Sequence, residues 1–585
     1  MLRLALIPAI LLSLLAGSLI WSGQGRQTRA DFAFVNRGDN KTLDLNAMSW
    51  MQDIRIAYAL WEGLYALDPV TLDPVPGAAE SIDISPDKRV YTFHLRRGGR
   101  WSDGNPVTAG DFVFEWRRML ESPGPYTGLH YYIRGAEAYQ KAYSQYKTDH
   151  AAAFDANQKA MADNPRNPRL VPIPIPPDFS MVGETARDDH TFVVTLIHPV
   201  PFFPAVCAFP AFFPLEEKQM RAFALHDDET GATTYRAEYT RPPNLVTNGP
   251  YRLEQWSFRR RLRLVANDYY WDRSHVHCQT VDQIYAEDPL SAYRLYQQGD
   301  VDWIADVDGE MAAAMLKNGG RPDLHIFPSF GTYFYEINCQ AKLPDGSSNP
   351  MRDMRVRQAL AMSIDKVPIV RDVARMNQPI TSDYIPPGAF AGYHSPPGLP
   401  FDVQRARNLL ADAGYPDGKG FPPITILYNS EGNHGDIATI IRRQWSRNLG
   451  IPVDLKGLEI KQFSTDAHSH NFIVMRAGWT GDYDDPSTFT DKYLSTSEDN
   501  DAGWISRNNR YDTLCAAAAV EPDHTRRLAL ISRAEDVLLT ESPIIPLYTQ
   551  VGAYLFHDNV TGISLSARQM LLFQAVQVHR AGANP

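Results

Sequence analysis

Tyr91-Thr92-Phe93-His94-Leu95-Arg96-Arg97-Gly98-Gly99-Arg100-Trp101-Ser102-Asp103-Gly104-Asn105-Pro106-Val107-Thr108-Ala109-Gly110-Asp111-Phe112 joins a strand pattern to the start of a helix within 22 residues. Its first six residues alternate rings and leucine with polar groups, the period of a half-buried strand. Thr108 then offers a helix cap, with Asp111 three residues on to complete a capping box. Phe112, Trp116 and Met119 or Leu120 fall on one face of the helix that starts there. Working outward, the strand pattern recurs at Phe192, Val194 and Leu196, and again at Leu262 and Leu264. Further helices are predicted over 355–364, where Val356, Leu360 and Ile364 are four apart, and over 526–539, stopping before Ser542-Pro543. Six prolines between 164 and 177 predict a stiff extended connection, and 385–400 is a second proline- and glycine-rich loop. Strands and helices mixed throughout, with short joins, predict an α/β protein whose lobes are interwoven along the chain.

A chain of 585 residues is too long for one ordinary core, so two to four packing units are expected. Apolar residues at 44% and aromatics at 11% suffice for cores and a ligand cleft. The net charge of −11 favours solubility and gives nucleic acid nothing to bind. Cys207, Cys278, Cys339 and Cys515 lie far apart with no CxxC spacing, which argues against structural zinc and leaves three disulfide pairings, or four free thiols, open. At the N-terminus Arg3 precedes an uncharged, leucine-rich run from Leu4 to Trp21, and polarity returns at Gly23 to Arg26. Residues 1–25 therefore read as a secretory signal peptide or an uncleaved anchor. No cysteine follows to make a lipoprotein. Everything beyond is expected to be exported to the periplasm or cell exterior, with membrane contact only through such an anchor.

Catalysis finds no support. There is no GxSxG or HExxH motif, and Ser85-Pro86-Asp87-Lys88 and Ser363-Ile364-Asp365-Lys366 fit SxxK without the partner motifs that would give it meaning. His275, His277 and Cys278 lack a second ligand pair. No glycine-rich phosphate loop follows a strand. No enzyme activity, cofactor or metal is expected.

The opening segment resembles the signature region of the bacterial peptide-binding proteins of ABC importers, the oligopeptide- and dipeptide-binding family. The resemblance continues in order through Thr247-Asn248-Gly249-Pro250-Tyr251, Asn267-Asp268-Tyr269-Tyr270-Trp271, Gly299-Asp300-Val301-Asp302, Arg355-Val356-Arg357-Gln358-Ala359-Leu360, Ala413-Gly414-Tyr415-Pro416 and Arg476-Ala477-Gly478-Trp479-Thr480-Gly481-Asp482-Tyr483. It implies a two-lobed periplasmic-binding-protein fold of class II type with an additional α/β domain, the ligand enclosed between the lobes. Lobe one would combine 31–61, 217–330 and 548–585, the added domain 62–216, and lobe two 331–547. The implied partners are short peptides and the permease subunits of an ABC transporter, with the receptor a monomer.

A receptor tolerant of peptide sequence must hold the backbone and the two charged ends. Strand addition serves the first, and a buried carboxylate serves the α-ammonium. The resemblance assigns that carboxylate to Asp482, although Asp484, Asp485 and Asp491 crowd the same stretch as a solvated acidic loop would. Gly478, Trp479 and Thr480 would pair with ligand backbone, and Trp479 reads equally as a core residue. Ser49, Trp50 and Met51 would form the facing strand of lobe one, and Tyr126 a ring packed on the ligand or simply buried. Arg476 and His434 would neutralise the carboxyl end, His434 reading otherwise as a loop histidine. Glu336 matches a cleft acid of longer-peptide binders. Gly331 and Thr480 depart from relatives that carry cysteines there, so that crosslink is missing. Rival readings keep the fold for a metal complex, haem or oligosaccharide, or make the chain a membrane-anchored peptide sensor or chaperone.

Overall fold

The computed structural model describes residues 28–580, except 37, 318, 344 and 482. One sheet of ten strands runs through the molecule: β1 (Phe32–Val35), β2 (Tyr251–Ser257), β3 (Arg261–Ala266), β4 (Thr280–Ile284), β5 (Trp303–Ile304), β6 (Leu324–Ile337), β7 (Ile424–Asn429), β8 (Val453–Leu458), β9 (Val474–Thr480) and β10 (Ile544–Phe556). Their spatial order is β2-β3-β4-β1-β5-β10-β6-β9-β7-β8. At 14 and 13 residues, β6 and β10 are the two longest strands of the sheet, and they pair antiparallel. Leu324 to Pro328 face Leu555 to Val551, and Thr332 to Glu336 face Thr549 to Ile544. The register shifts between Pro328 and Thr332. Proline has no N–H for the ladder, and a bulge at such a point bends and twists the pair.

Separate apolar cores flank this crossing. Tyr335, Leu360, Ile426 and Trp445 pack on one face of lobe two, and Phe334, Tyr384, Phe489 and Leu538 on the other. The added unit is a four-stranded antiparallel sheet in the order Ala79–Ile84, Val90–Leu95, Thr191–Thr195, Glu184–Asp188. Helix Ala109–Glu121 carries the expected capping box, with the Thr108 N–H donating to Asp111 Oδ2 (2.9 Å). Phe112, Trp116, Met119 and Leu120 are all buried beneath it. The Trp116 indole donates to the Phe212 carbonyl (3.0 Å) and meets Phe192 and Phe212 edge-on. Truncating such a ring costs about 3–5 kcal/mol. This core is continuous with the Phe32, Phe34 and Trp303 cluster of lobe one.

Helices Met354–Met362 and His524–Glu541 occupy the predicted stretches, and 164–177 is extended without regular structure. All four cysteines are free. Cys278 is buried and donates to the Val576 carbonyl (3.2 Å), while His275 pairs with Asp272 (2.5 Å), so these two side chains already have protein partners. Among the described residues no helix is long and apolar enough to cross a membrane. The expected signal or anchor lies outside the described residues.

Glu184 is buried, and neither carboxylate oxygen has a hydrogen-bond partner among the described residues. Burial raises its pKa well above the ordinary carboxylic value. The unfolded chain releases this proton near the ordinary value while the folded chain keeps it, so stability falls as pH rises through that interval. Glu184→Met is expected to raise the unfolding midpoint by roughly 2–4 °C at pH 7.5 and by clearly less at pH 4.5. Calorimetric scans at the two pH values check this; equal shifts would contradict it.

Candidate functional site

β9 is paired along its whole length on one side only. Toward β6 the register runs unbroken from Ile337↔Val474 to Gly331↔Thr480, whereas β7 meets β9 only at Val474 and Met475. Among the described residues no strand covers the outer edge of 476–480. The Gly481 N–H donates to the Phe330 carbonyl (2.9 Å), which fixes the phase of the ladder. By antiparallel alternation Trp479 and Ala477 turn their backbone groups to β6, and Arg476, Gly478 and Thr480 turn theirs outward. Gly478 and Thr480 are exposed. An extended guest can add to this edge as a further strand.

The end of that edge opens into a cavity of about 300 Å³. Thr480, Gly481, Tyr483 and Asp484 line it at the end of β9, Ser49, Trp50 and Met51 at the start of helix Met51–Leu60, and Tyr126 and Phe209 from between these segments in the chain. Asp482 lies outside the described residues; its sequence neighbours on both sides line the cavity. Gly481 is required here, since a β-carbon would sit 2.0 Å from the Phe330 ring. Tyr126 meets Phe209 edge-on at 4.8 Å. The run at 49–51 is not the expected strand. Trp50 is extended (φ −105°, ψ 139°) and caps helix Met51–Leu60, whose remaining residues are all buried. Continuous burial erases the amphipathic period that would have announced a helix.

Arg476, further along β9, and His434, at the start of a helix, do not line this cavity. Arg476 Nε donates to Asn429 Oδ1 (2.5 Å), with the guanidinium 5.0 Å from the Phe463 ring. His434 opens helix His434–Leu449, its Nδ1 2.9 Å from the Tyr333 hydroxyl and its ring stacked on Tyr333, which stacks in turn on Tyr548. Burial, and then the Arg476 charge, push the His434 pKa down to about 4, so the ring is neutral at neutral pH. At that pH His434 offers a hydrogen bond, and Arg476 carries the charge. A guest carboxylate beside them would favour the imidazolium. Binding at pH 5 is therefore expected to take up protons, seen by calorimetry in two buffers of different ionisation heat, and His434→Gln should abolish the uptake. No uptake in the unaltered protein would remove His434 from the site.

The expectation for Glu336 changes outright. Glu336 is wholly buried; its Oε1 accepts from the Ala502 N–H (3.0 Å), Lys492 Nζ lies 3.8 Å from Oε2, and burial pushes its pKa up to about 7. Strand alternation places it with Phe334 in the core of lobe two, away from the cavity. Trp479, on that same face, is half-buried and donates to the Thr488 carbonyl (2.8 Å), with Lys492 5.4 Å above its ring. It braces the strand from behind. Arg568 and Met570 also line the cavity. They reach it through the folding of the C-terminal tail, and no local pattern marks them.

Residues 73–501 match the bacterial extracellular solute-binding proteins, family 5. The chain belongs to that family. It is 31% identical over 537 residues to the periplasmic oligopeptide-binding protein OppA of Salmonella typhimurium, covering 90% of this chain and 88% of the relative. The Escherichia coli murein tripeptide binding protein MppA superposes with a TM-score of 0.71 at 27% identity, covering 95% and 99% of the two chains. Haemophilus influenzae OppA in complex with the peptide RPPGFSPFR superposes at 0.69 with 26% identity, covering 94% and 99%. The two-lobed family 5 fold explains motifs far from the cavity. Asn248 exchanges two hydrogen bonds with the Glu62 backbone (2.8 and 3.1 Å), and Asn267 holds the Gly249 carbonyl (3.0 Å). Tyr270 and Trp271 donate to the Glu62 carboxylate (2.5 and 2.7 Å). These bonds tie Glu62 to the segment 248–271.

Proposed function

We propose that this chain captures short peptides in extended form between its lobes, outside the cytoplasmic membrane, and delivers them to the permease of an ABC transporter. The single observation that carries the reading is the uncovered edge at 476–480, which ends in a cavity contributed by both lobes. Asp482 would receive the α-ammonium, Gly478 and Thr480 would bond the backbone, Tyr126, Ser49, Trp50 and Met51 would close the opposite wall, and Arg476 with His434 would receive the carboxylate. Positions 476 and 480 are about 14 Å apart along β9 at ~3.4 Å per residue. Allowing for side-chain reach, that span suits a guest of roughly three to five residues. The lobes would be 31–61 with 217–330 and 548–585, and 331–547, with 62–216 riding on the first. Closure would bend β6 and β10 at their register shift, driven by tighter binding in the closed state. The receptor works as a monomer and performs no chemistry on its guest, and residues 1–25 direct export or hold it at the membrane.

Native mass spectrometry of the protein purified from its exporting host tests this. A family of bound masses that resolve into peptides with free amines is the expected result. Bound material without an amine, such as a sugar or a metal complex, would contradict it.

A further inference from the structure

The cavity beside 480–484 has a chemistry of its own. Its walls are chiefly apolar and aromatic: Met51, Tyr126, Phe209, Phe330 and Met570, with Trp50 at the mouth. Trp50 is 54% exposed, with Lys41 Nζ 5.2 Å from its ring. The charged groups lining it, among the described residues, are Asp484 and Arg568, and they are already paired with each other, both largely buried. Arg568 also donates to the Leu72 carbonyl, so its guanidinium is fixed from two sides. A charged guest side chain entering here would shed its water and find no free counter-charge, which is costly. A ring or branched aliphatic chain would instead exchange water for apolar wall and stack against aromatic faces. At about 300 Å³ the space holds one large side chain.

Building on the peptide reading, we propose that this cavity selects peptides whose first residue is apolar and large, with phenylalanine or leucine favoured and lysine or glutamate rejected. The first residue is the one within reach, because the segment that would hold the amine is flanked by cavity residues on both sides. Trp50 and Arg568 set the selectivity, the one by supplying an aromatic wall and the other by silencing Asp484. Removing Arg568 would leave an unpaired carboxylate and turn rejection of lysine into acceptance.

Titration calorimetry with the tripeptides Xaa-Ala-Ala, Xaa being Phe, Leu, Ala, Lys or Glu, tests this on the full exported chain. Phe and Leu should bind about tenfold or more tighter than Ala, and Lys and Glu weaker than Ala, at the ~1.4 kcal/mol per decade of affinity. Trp50→Ala, which removes an exposed ring and should leave folding intact, should cut the Phe advantage at least threefold. Arg568→Met should raise Lys-Ala-Ala above Glu-Ala-Ala. Affinities within threefold of one another, or a Phe advantage untouched by Trp50→Ala, would overturn the selectivity while leaving peptide binding standing. Binding by none of the five, with Ala-Ala-Ala and mixed longer peptides also failing, would overturn both.

Discussion

Asp482→Ala is expected to weaken short-peptide binding by about 2–5 kcal/mol, a loss of about 30-fold to 4,000-fold, the cost of burying an ammonium without its partner. The size of the effect follows from what a sequence-tolerant receptor can hold. Side chains vary from guest to guest, so affinity must come from the backbone and the ends, and the amine is the one end always positively charged. The edge at Gly478 and Thr480 supplies neutral hydrogen bonds, each worth only ~0.5–1.5 kcal/mol net. A charge-assisted bond in an enclosed site exceeds them. Asp482→Asn keeps the shape and loses the charge, and should fall between the two. Calorimetry with a single tripeptide reads all three proteins; a loss below tenfold for Asp482→Ala would refute the assignment.

Arg527→Met should be the most damaging substitution away from the guest. Arg527 is 1% exposed and grips Asp485 with two bonds (2.5 and 2.7 Å), while its guanidinium lies 5.1 Å from the Phe202 ring of the added unit. Beside it Tyr483 stacks on Phe202 at 5.2 Å. Breaking a buried pair from one side leaves an uncompensated charge and costs about 3–5 kcal/mol, whereas replacing both partners by apolar groups is often neutral. The unfolding midpoint is expected to fall sharply in Arg527→Met and to recover largely in Arg527→Met with Asp485→Leu. Peptide affinity should fall as well, since Asp485 anchors the segment that begins at Gly481. A midpoint unchanged by the single substitution would show that the pair does not carry this contact with Phe202.

The strands and the helix after Thr108 were legible because each buries one face, and one-sided burial writes its period into the sequence. Helix Ala136–Asp163 passed unread although Tyr139, Tyr143, Tyr146 and His150 stand at helical spacing and are buried. Its stripe is built of polar aromatics rather than aliphatics, and strand-forming tyrosines blur the signal. Helix Met51–Leu60 was hidden for the opposite reason, burial on every side. The resemblance located the β9 edge, Tyr126 and Trp50, which the fold brings to one cavity from three parts of the chain. It could not say which face of β6 carries Glu336, because a one-residue difference in strand phase sends a side chain into the core or the cleft. Nor could any pattern announce Arg568, whose place in the cavity exists only after the C-terminal tail has crossed back over lobe one.

The direct test of the amine-carboxylate contact changes the guest instead of the protein. Ala-Phe-Ala and its N-acetyl derivative differ by one charge and a small group, and both can be titrated into the unaltered chain and into Asp482→Ala. Acetylation should cost the unaltered protein at least 30-fold and Asp482→Ala little. Equal affinity of the two guests for the unaltered protein would mean that no carboxylate waits for an amine in this cleft.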